Sequence, residues 1–177
     1  MRYTLDHNAL IDLEERREPN YTRLRLLLES NHSKVFLTAV SASENPQQRT
    51  FEVFLAKVRA IPDLNRIKNE NILKPMGIFD FSFHDWSLWG DQAMSNLKCE
   101  IADVLFPGLF PLKTFGKKER NKLADVMSFW CHIYHANQVF ITSDQNFIRN
   151  EVSLKKLAQQ YNQSLISVIS PQNISDL

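Results

Sequence analysis

The stretch KLADVMSFWCHIYHANQVFITSDQNFI, residues 122–148, indicates the fold class more clearly than any other part of the chain. Its first half places large apolar side chains around most of a helical circumference, as expected for a helix packed on a sheet. A turn at Ala136 and Asn137 then leads into an apolar segment, residues 138–142, that has the length of a buried strand. The stretch therefore predicts a helix, a turn, a strand and the start of a second helix.

Two acidic residues bracket this stretch. Asp125 lies near the start of the helix, and Asp144 follows the carboxyl end of the strand. Asp125, Ser128 and His132 recur at spacings of three and four residues, so they share a polar stripe on an otherwise apolar surface. A carboxylate on such a stripe, close to a strand end that carries a second carboxylate, needs a functional or structural reason.

The composition fits one soluble globular domain. The chain has 177 residues, of which 44% are apolar and 23% charged, and its formal net charge of +1 gives no global bias towards nucleic acid. Its two cysteines lack a CxxC spacing and fit reduced thiols. Because there is no apolar leader and no run near the roughly 18 residues of a membrane span, we expect a cytoplasmic protein without a membrane partner.

Short apolar segments alternate with helical patterns through most of the chain. The predicted strands cover residues 2–5, 35–38, 138–142 and 165–169, and GIFDFSF at 77–83 is a further strand candidate. This alternation predicts an α/β fold, a three-layer α/β/α sandwich with a mainly parallel central sheet, in a single domain over residues 1–177. Residues from about 62 to 116 form an unassigned, mostly helical insertion, with a helix from Asp91 to about Phe106.

Acidic residues follow three of the predicted strands. Asp6 ends the first strand, Glu44 follows the second after a short turn, and Asp144 ends the third. In open parallel sheets, ligands collect at the carboxyl ends of the strands. Asp125 joins this edge from the helix that precedes the third strand, so four carboxylates are predicted at one edge.

Helix starts near two of these acids are predicted from capping residues. Asn8 is expected to cap the helix after the first strand, and Asp6 and Asn8, two residues apart, are expected to point the same way. Ser41 or Ser43 is expected to cap the helix after the second strand, with Glu44 in or near its first turn.

Four carboxylates at one edge repel one another and would take up protons unless a cation held them. Oxygen donors of this kind select Mg²⁺ or Mn²⁺, whereas zinc prefers histidine or cysteine. A water molecule activated by such a metal is a suitable nucleophile for a phosphodiester. Taken singly, each acid also fits a helix cap or a solvated turn; the coincidence of three strand ends and one helix favours a metal site.

Three segments resemble the PIN domain, the fold of VapC-type toxin ribonucleases and related nucleases: LDHNALIDL, VFLTAVSASEN and LADVMSFWCHIYHANQVFITSDQNFI. The last is the most specific, with an acid on a helix followed by a Thr-x-Asp-x-x-Phe strand end. The resemblance covers the chain to about residue 60 and again from 118 to about 170. It implies a divalent-metal-dependent endoribonuclease, with RNA as substrate and with an antitoxin protein and a second copy of the chain as partners.

The resemblance also implies roles for the matching positions. The family's catalytic and metal-binding acids correspond to Asp6, Glu44, Asp125 and Asp144. Asn8 and Thr142 correspond to supporting polar groups. Many members carry another acid two residues after the strand-end aspartate; this chain has Asn146 there, which can hydrogen-bond a water or phosphate but adds no charge for a second metal.

A basic run precedes the helix that carries Asp125. Its candidate nucleic-acid-binding residues are Lys117, Lys118, Arg120 and Lys122, which would lead a phosphate backbone towards the acids. The same run also fits a solvated loop and helix face. His132 is a candidate proton carrier or a buried structural histidine, and Trp86 and Trp89 are candidates for base stacking or for packing.

Two other functions stay open. The first is a PIN-like RNA-binding or regulatory module that binds metal or RNA without cleaving it, an interpretation that Asn146 favours. The second is a phosphatase of the haloacid dehalogenase type, because Asp6 also ends a first strand. That family would require a second aspartate at position 8, where this chain has Asn8.

Overall fold

The computed structural model describes residues 1–30, 32, 34–42, 50–78, 81–83, 85–112, 116–161 and 167–176, which form an α/β fold around a parallel sheet. The strands are β1 (Arg2–Leu5), β2 (Lys34–Thr38), β3 (Ile72–Leu73), β4 (Val139–Ile141) and β5 (Ser167–Ile169). Their order across the sheet is β3-β2-β1-β4-β5, and all neighbouring pairs are parallel. The residue that follows β1 therefore lies at the middle of the sheet's carboxyl edge.

Helices cover both faces of the sheet. They are α1 (His7–Glu14), α2 (Asn20–Glu29), α3 (Phe51–Ala60), α4 (Gln92–Leu105), α5 (Lys117–Tyr134), α6 (Gln145–Arg149) and α7 (Glu151–Gln160). One hydrophobic core lies under α1, α2 and α3, and a second lies under α4 to α7. The predicted three-layer α/β/α sandwich is confirmed. None of the helices in the described ranges has both the length and the apolar character needed to cross a membrane.

Alternation along the central strand decides which side chains meet α5. Tyr3 and Leu5 of β1 are buried in the core under α1 to α3. Thr4 points to the other face, where it bonds to a side chain of α5. Asp6 has the same parity as Thr4, so an acid at this position is directed beneath α5.

Helix α5 is the most buried helix of its layer and leads directly into β4. Trp130 and Phe129 are fully buried on it, and the Trp130 indole N–H donates to the Met94 carbonyl of α4 at 3.0 Å. The helix ends at Tyr134, and Ala136, with a φ of 54°, turns the chain towards β4. The predicted sequence of helix, turn and strand is confirmed.

Residues 62–116, left unassigned from sequence, contribute to both the sheet and a helix layer. Strand β3 extends the sheet beside β2, and α4 packs against α5. Asp91 caps α4 by accepting the Met94 N–H at 2.8 Å, as the predicted helix requires. The strand predicted at 77–83 is wrong for the part that is described. Phe81 and Phe83 are buried in opposite cores, which a turn allows and a strand, with its period of two, does not.

The start of α3 also differs from the prediction. Its N-cap is Thr50, whose hydroxyl accepts the Val53 N–H at 3.5 Å. Ser41 lies instead in the short 3-10 helix Ala39–Ala42 that follows β2, so the predicted Ser41 cap is wrong. Ser43 and Glu44 lie outside the described residues.

Candidate functional site

Asp6 is a deeply buried acid at the carboxyl edge of the sheet. It follows β1 directly and is only 2% exposed. Its backbone N–H donates to the Ile141 carbonyl at 3.0 Å, which fixes it beside the end of β4. The carboxyl group thus lies between the two central strands and α5.

Hydroxyl groups hold both oxygens of the Asp6 carboxyl group. Thr142 donates to Oδ2 at 2.8 Å, and Ser128 of α5 donates to Oδ1 at 3.3 Å. Thr38, at the end of β2, lies 3.3 Å from the Ser128 hydroxyl. Because the Ser128 hydrogen is directed to Asp6, Thr38 is the donor in that bond. Three strand ends and one helix therefore meet at this carboxyl group.

Asp144 joins this group through Thr142. Its backbone N–H donates at 3.0 Å to the Thr142 hydroxyl oxygen, whose own hydrogen is directed to Asp6. Its Oδ1 accepts the Asn146 N–H at 2.7 Å and caps α6. Its Oδ2 makes no hydrogen bond to any described residue, so one carboxylate oxygen is open to a ligand. We call Asp6, Thr38, Ser128, Thr142 and Asp144 the Asp6 cluster.

The electrostatics of the Asp6 cluster disfavour a charged Asp6. Burial raises the pKa of its carboxyl group above the usual 3.8, and the neighbouring Asp144 carboxylate raises that pKa further. The hydrogen bonds from Thr142 and from the His7 backbone, and the charge of the His7 ring, lower the pKa of Asp6, but burial is the largest contribution. No described lysine or arginine forms an ion pair with Asp6. A cation beside Asp6 and Asp144 would reverse this preference.

Asp125 lies on the polar stripe that was predicted for α5. Ser128 and His132 of that stripe are buried against β1, which confirms that the stripe faces the sheet. Asp125 is half-buried one turn before Ser128, where the Cβ atoms of residues three apart are about 5–6 Å from each other. The structure thus brings Asp6 and Asp144 together. It places Asp125 one turn of α5 before Ser128, the residue that bonds to Asp6. Glu44 falls outside the described residues.

The two supporting asparagines occupy positions that sequence spacing did not predict. Helix α1 begins at His7 with Asp6 at the N-cap position, so the predicted Asn8 cap is wrong. Asn8 is helical, and the argument that it points the same way as Asp6 in an extended chain does not apply. The Asn146 amide donates to the Leu105 carbonyl at 3.1 Å and accepts from Asn150 at 3.2 Å, so it ties α6 to the end of α4.

The candidate nucleic-acid-binding residues form the first turns of α5 rather than a loop. The helix begins at Lys117, after Gly116 at the N-cap position. Lys117 and Lys118 are exposed, whereas Arg120 and Lys122 are half-buried, with the Lys122 ammonium 5.5 Å from the centre of the Phe106 ring. Cations in a helix's first turn oppose its dipole, so this arrangement is not explained by helix stability.

His132 belongs to a second polar group beneath α5. Its Nδ1 lies 2.9 Å from the Thr4 hydroxyl, which also accepts the Asn137 side-chain N–H at 2.7 Å. We call these three residues the His132 cluster. Burial lowers the pKa of His132 to about 3, so the ring is neutral at physiological pH. A fully buried, neutral ring bonded to Thr4 fits the structural interpretation of His132.

A second buried acid, Asp12 of α1, is 4% exposed and was not among the residues predicted from sequence. Its Oδ2 accepts from Asn20 at 2.6 Å and from Ser143 at 3.2 Å, and Arg17 lies 3.9 Å from Oδ1. It links α1 and α2 to the loop between β4 and α6. Its position on the same helical face as Ala9 and Leu13 is the signal that identifies it as buried.

The two tryptophans of the loop before α4 differ completely. Trp86 stacks on Phe51 with ring centroids 3.9 Å apart, and the Lys74 ammonium lies 4.3 Å from its ring centre. Trp86 therefore packs, as one of the two interpretations expected. Trp89 is 99% exposed, so it contributes almost no packing.

The donor set of the Asp6 cluster fits magnesium or manganese better than zinc. In the described ranges, no three His, Cys, Asp or Glu side chains lie within reach of one metal ion. Magnesium is commonly held by one or two carboxylates and keeps several waters, whereas structural zinc requires four nitrogen or sulfur ligands. Asp6 and Asp144, bonded only to hydroxyl and backbone groups, meet the first requirement.

The chain was compared with protein-family models, with curated proteins and with solved structures. It matches none of them. The function of this site is therefore inferred from its geometry and from the sequence motifs.

Proposed function

We propose that the protein is a divalent-metal-dependent endoribonuclease whose active site is the Asp6 cluster. The observation that carries this proposal is the burial of the Asp6 carboxyl group beside Asp144, without an ion pair to any described lysine or arginine. Burial of an acid without such a pair costs stability, and such costs are typical of functional sites. The resemblance of the surrounding motifs to PIN domains supports phosphodiester hydrolysis as the chemistry.

Asp6 and Asp144 would hold Mg²⁺ or Mn²⁺, with Asp125 contacting the ion through water. The ion would supply an activated water and neutralise charge on the phosphodiester. We assign Glu44 the role expected from sequence, which is to orient or deprotonate the attacking water.

The hydroxyl groups of the cluster orient the acids. Thr142 and Ser128 fix the two oxygens of Asp6, and the Thr142 oxygen also fixes the backbone of Asp144. This leaves Asp6 a single side-chain orientation beneath α5. Preorganised groups of this kind lower the barrier because they need not reorient as charge develops.

The exposed amines of Lys117 and Lys118 supply attraction for the RNA backbone. They lie two helical turns before Asp125 on the helix that carries it. Phosphate contacts of this kind position a nucleic acid without reading its sequence. We therefore assign them a role in substrate binding and none in bond cleavage.

A PIN-like module that binds RNA without cleaving it is the second candidate. The observation that favours it is the Asn146 side chain, which is occupied by Leu105 and Asn150 and adds no acid to the edge. This candidate predicts metal or RNA binding by the wild-type protein with no cleavage at any metal concentration.

Cleavage of labelled single-stranded RNA in Mg²⁺, in Mn²⁺ and in EDTA tests the proposal. We expect metal-dependent cleavage by wild type, and a loss of about 10³-fold in the rate for Asp6→Asn and Asp144→Asn. Glu29→Gln is the control, because Glu29 is an exposed acid paired with Arg25 at the far end of α2. It should cleave like wild type.

The outcomes separate the candidates. Equal cleavage by wild type and Asp6→Asn would locate the activity elsewhere, or in a contaminant. RNA binding without cleavage would favour the binding module. Turnover of p-nitrophenyl phosphate that depends on Asp6 would favour the phosphatase, although a 2% exposed Asp6 bonded by two hydroxyls is poorly placed to attack a phosphate.

A further inference from the structure

The amino edge of the sheet carries an open cleft of about 480 Å³ that is unrelated to the Asp6 cluster. Four of its lining residues are cations, Arg2, Lys34, Arg66 and Lys68, against the single carboxylate of Glu70. We call this the amino-edge cleft. Its charge stands out because the formal net charge of the whole chain is only +1. A cleft lined by one sign of charge concentrates the potential and attracts ions of the opposite sign.

Arg2 gives this cleft a fixed donor group. Its Nε donates to Asn137 at 2.8 Å, an NH2 hydrogen is directed to the His135 carbonyl at 3.3 Å, and its guanidinium carbon lies 4.3 Å from the centre of the Phe36 ring. An arginine has five N–H donors, so three remain without an acceptor among the described residues. A guanidinium held flat with free donors is the group best suited to bind a phosphate.

Lys34 and Arg66 add cations without partners. Both are exposed, and neither forms an ion pair with any acid in the described ranges. Lys68 lies 3.7 Å from Glu70, but both side chains are about three-quarters exposed (75% and 74%), so this pair is weak. Four cations that converge in one concavity with a single acid repel one another, and a polyvalent anion would relieve that repulsion.

We propose that the amino-edge cleft is a binding site for phosphate groups, either of a single-stranded RNA backbone or of a free ribonucleotide. Arg2 would provide the oriented contact, and Lys34 and Arg66 would close around the ligand from β2 and from the segment before β3. The site does not depend on cleavage at the Asp6 cluster. It lies at the opposite end of the strands, about 13–16 Å away for four to five residues of strand.

Binding of a labelled oligoribonucleotide tests this site. The measurement is made in EDTA, because no metal-dependent cleavage occurs without the metal. The double variant Lys34→Gln/Arg66→Gln should bind about tenfold more weakly at 0.1 M salt. The slope of log Kd against the logarithm of the salt concentration should decrease by about 1.4, the value for two lost contacts to a single strand. Both side chains are exposed, so this variant should fold with a wild-type Tm.

Arg23→Gln/Lys156→Gln is the matched control. It removes the same two charges from exposed positions on α2 and α7 that form no described ion pair. The control should keep wild-type affinity and salt dependence. Equal losses in both double variants would reduce the effect to general charge and overturn the site, as would wild-type binding by Lys34→Gln/Arg66→Gln.

Competition by ATP distinguishes the two phosphate sources. Direct ATP binding that is lost in Lys34→Gln/Arg66→Gln assigns the cleft to a free nucleotide. Loss of oligoribonucleotide binding in that variant, with no ATP binding by wild type, assigns it to the RNA backbone. Binding of neither probe by the wild-type protein overturns the proposal.

Discussion

The Asp6 cluster and the His132 cluster lie under the same helix, one turn apart, and differ in one physical respect. In the His132 cluster, Thr4 joins His132 and Asn137, and burial lowers the pKa of His132 so that no member is charged at neutral pH. In the Asp6 cluster, the same kind of hydroxyl bonds surround an acid whose pKa burial raises. The first cluster contains only neutral groups, although the buried Nε2 of His132 has no hydrogen-bond partner among the described residues. The second cluster surrounds an acid whose charged form is disfavoured by burial.

Of the two clusters, only the Asp6 cluster requires a functional explanation. Neutral buried groups that are hydrogen-bonded help to fix the packing of a helix on a sheet. A buried carboxyl group near a second acid is unfavourable in the charged form, whatever bonds it accepts. We therefore assign the His132 cluster to stability and the Asp6 cluster to cation binding.

Breaking the His132 cluster should have the largest effect on stability. His132→Ala removes a fully buried ring and leaves the Thr4 hydroxyl short of a partner, so the free energy of unfolding should fall by about 3 kcal/mol. The Tm should fall by about 9 °C. Urea denaturation and thermal unfolding measure both.

His135→Ala is the matched control for that variant. The His135 side chain is half-buried and makes one described hydrogen bond, between Nε2 and the Lys74 carbonyl at 3.0 Å. The free energy of unfolding of this variant should therefore fall by only about 1 kcal/mol. Equal losses in the two variants would mean that the His132 cluster has no special role in stability.

Removing a hydroxyl from the Asp6 cluster should have the next largest effect. Thr142→Val keeps the shape but removes the donor to Asp6 Oδ2 and the acceptor of the Asp144 N–H. The free energy of unfolding should fall by about 2 kcal/mol, because a buried carboxyl oxygen and a buried backbone N–H each lose their hydrogen-bond partner. Urea denaturation of the variant and of wild type measures this loss. A Thr142→Val protein as stable as wild type would contradict the role of this hydroxyl in holding Asp6 and Asp144.

The two clusters should also respond to pH with opposite signs. An unfolded His132 takes up a proton below pH 6.5, but the folded ring does so only near pH 3. Wild-type stability should therefore fall on acidification in this window, by up to about 1.4 kcal/mol per pH unit. For Asp6 the folded pKa is raised above 3.8, so its unfavourable contribution grows as pH rises from 3.8 through the folded value.

Unfolding of His132→Ala and of Asp6→Asn between pH 4 and pH 7 measures these contributions. The deficit of His132→Ala and the advantage of Asp6→Asn, both relative to wild type, should shrink as the pH falls. A deficit of His132→Ala that grows on acidification would contradict the lowered pKa of His132.

Adding an acid beside Asp144 should have a smaller effect on stability than the variants above. Asn146→Asp replaces the amide that donates to the Leu105 carbonyl with an oxygen, so stability without metal should fall by about 1 kcal/mol. Because the new carboxylate adds charge at the edge, Mg²⁺ should recover more stability in this variant than in wild type. Thermal unfolding with and without Mg²⁺ measures both effects, and an equal Mg²⁺ response would place Asn146 outside the metal site.

The fold was predictable where periodicity extends over many residues. Helix α5 and strand β4 follow from residues 122–142, which show a helical and then a strand-like pattern. Strand β3 was missed because Ile72 and Leu73 are too few to show any period. The strand predicted at 77–83 failed because Phe81 and Phe83 belong to different cores, a separation that depends on how the turn folds back.

The candidate site was predictable to the level of helix faces and strand ends. The spacing of Asp125, Ser128 and His132 places them on one stripe, and parallel topology places Asp6 and Asp144 at one edge. The contact between Thr38 and Ser128 depends on the register of β2 against β1 and on the height of α5 above the sheet. Sequence spacing carries neither quantity. The Asn8 cap was wrong because α1 begins at His7, two residues earlier than predicted, with Asp6 at the N-cap position.

The Asp6 carboxyl group is expected to destabilise the protein without a cation and to stabilise it with one. The direct test is the Tm of wild type, Asp6→Asn and Asp12→Asn in EDTA and in a Mg²⁺ or Mn²⁺ titration. In EDTA, Asp6→Asn should exceed wild type by about 3 °C, for about 1 kcal/mol gained. Asp12→Asn should fall below wild type, because Asp12 accepts from Asn20 and lies beside Arg17.

With metal at about 100 times its Kd, wild type should gain about 2.7 kcal/mol and the Tm should rise by about 8 °C. Asp12→Asn should rise by the same amount, and Asp6→Asn should not rise. An Asp6→Asn protein that is less stable than wild type in EDTA, and that responds to metal as wild type does, would contradict the account.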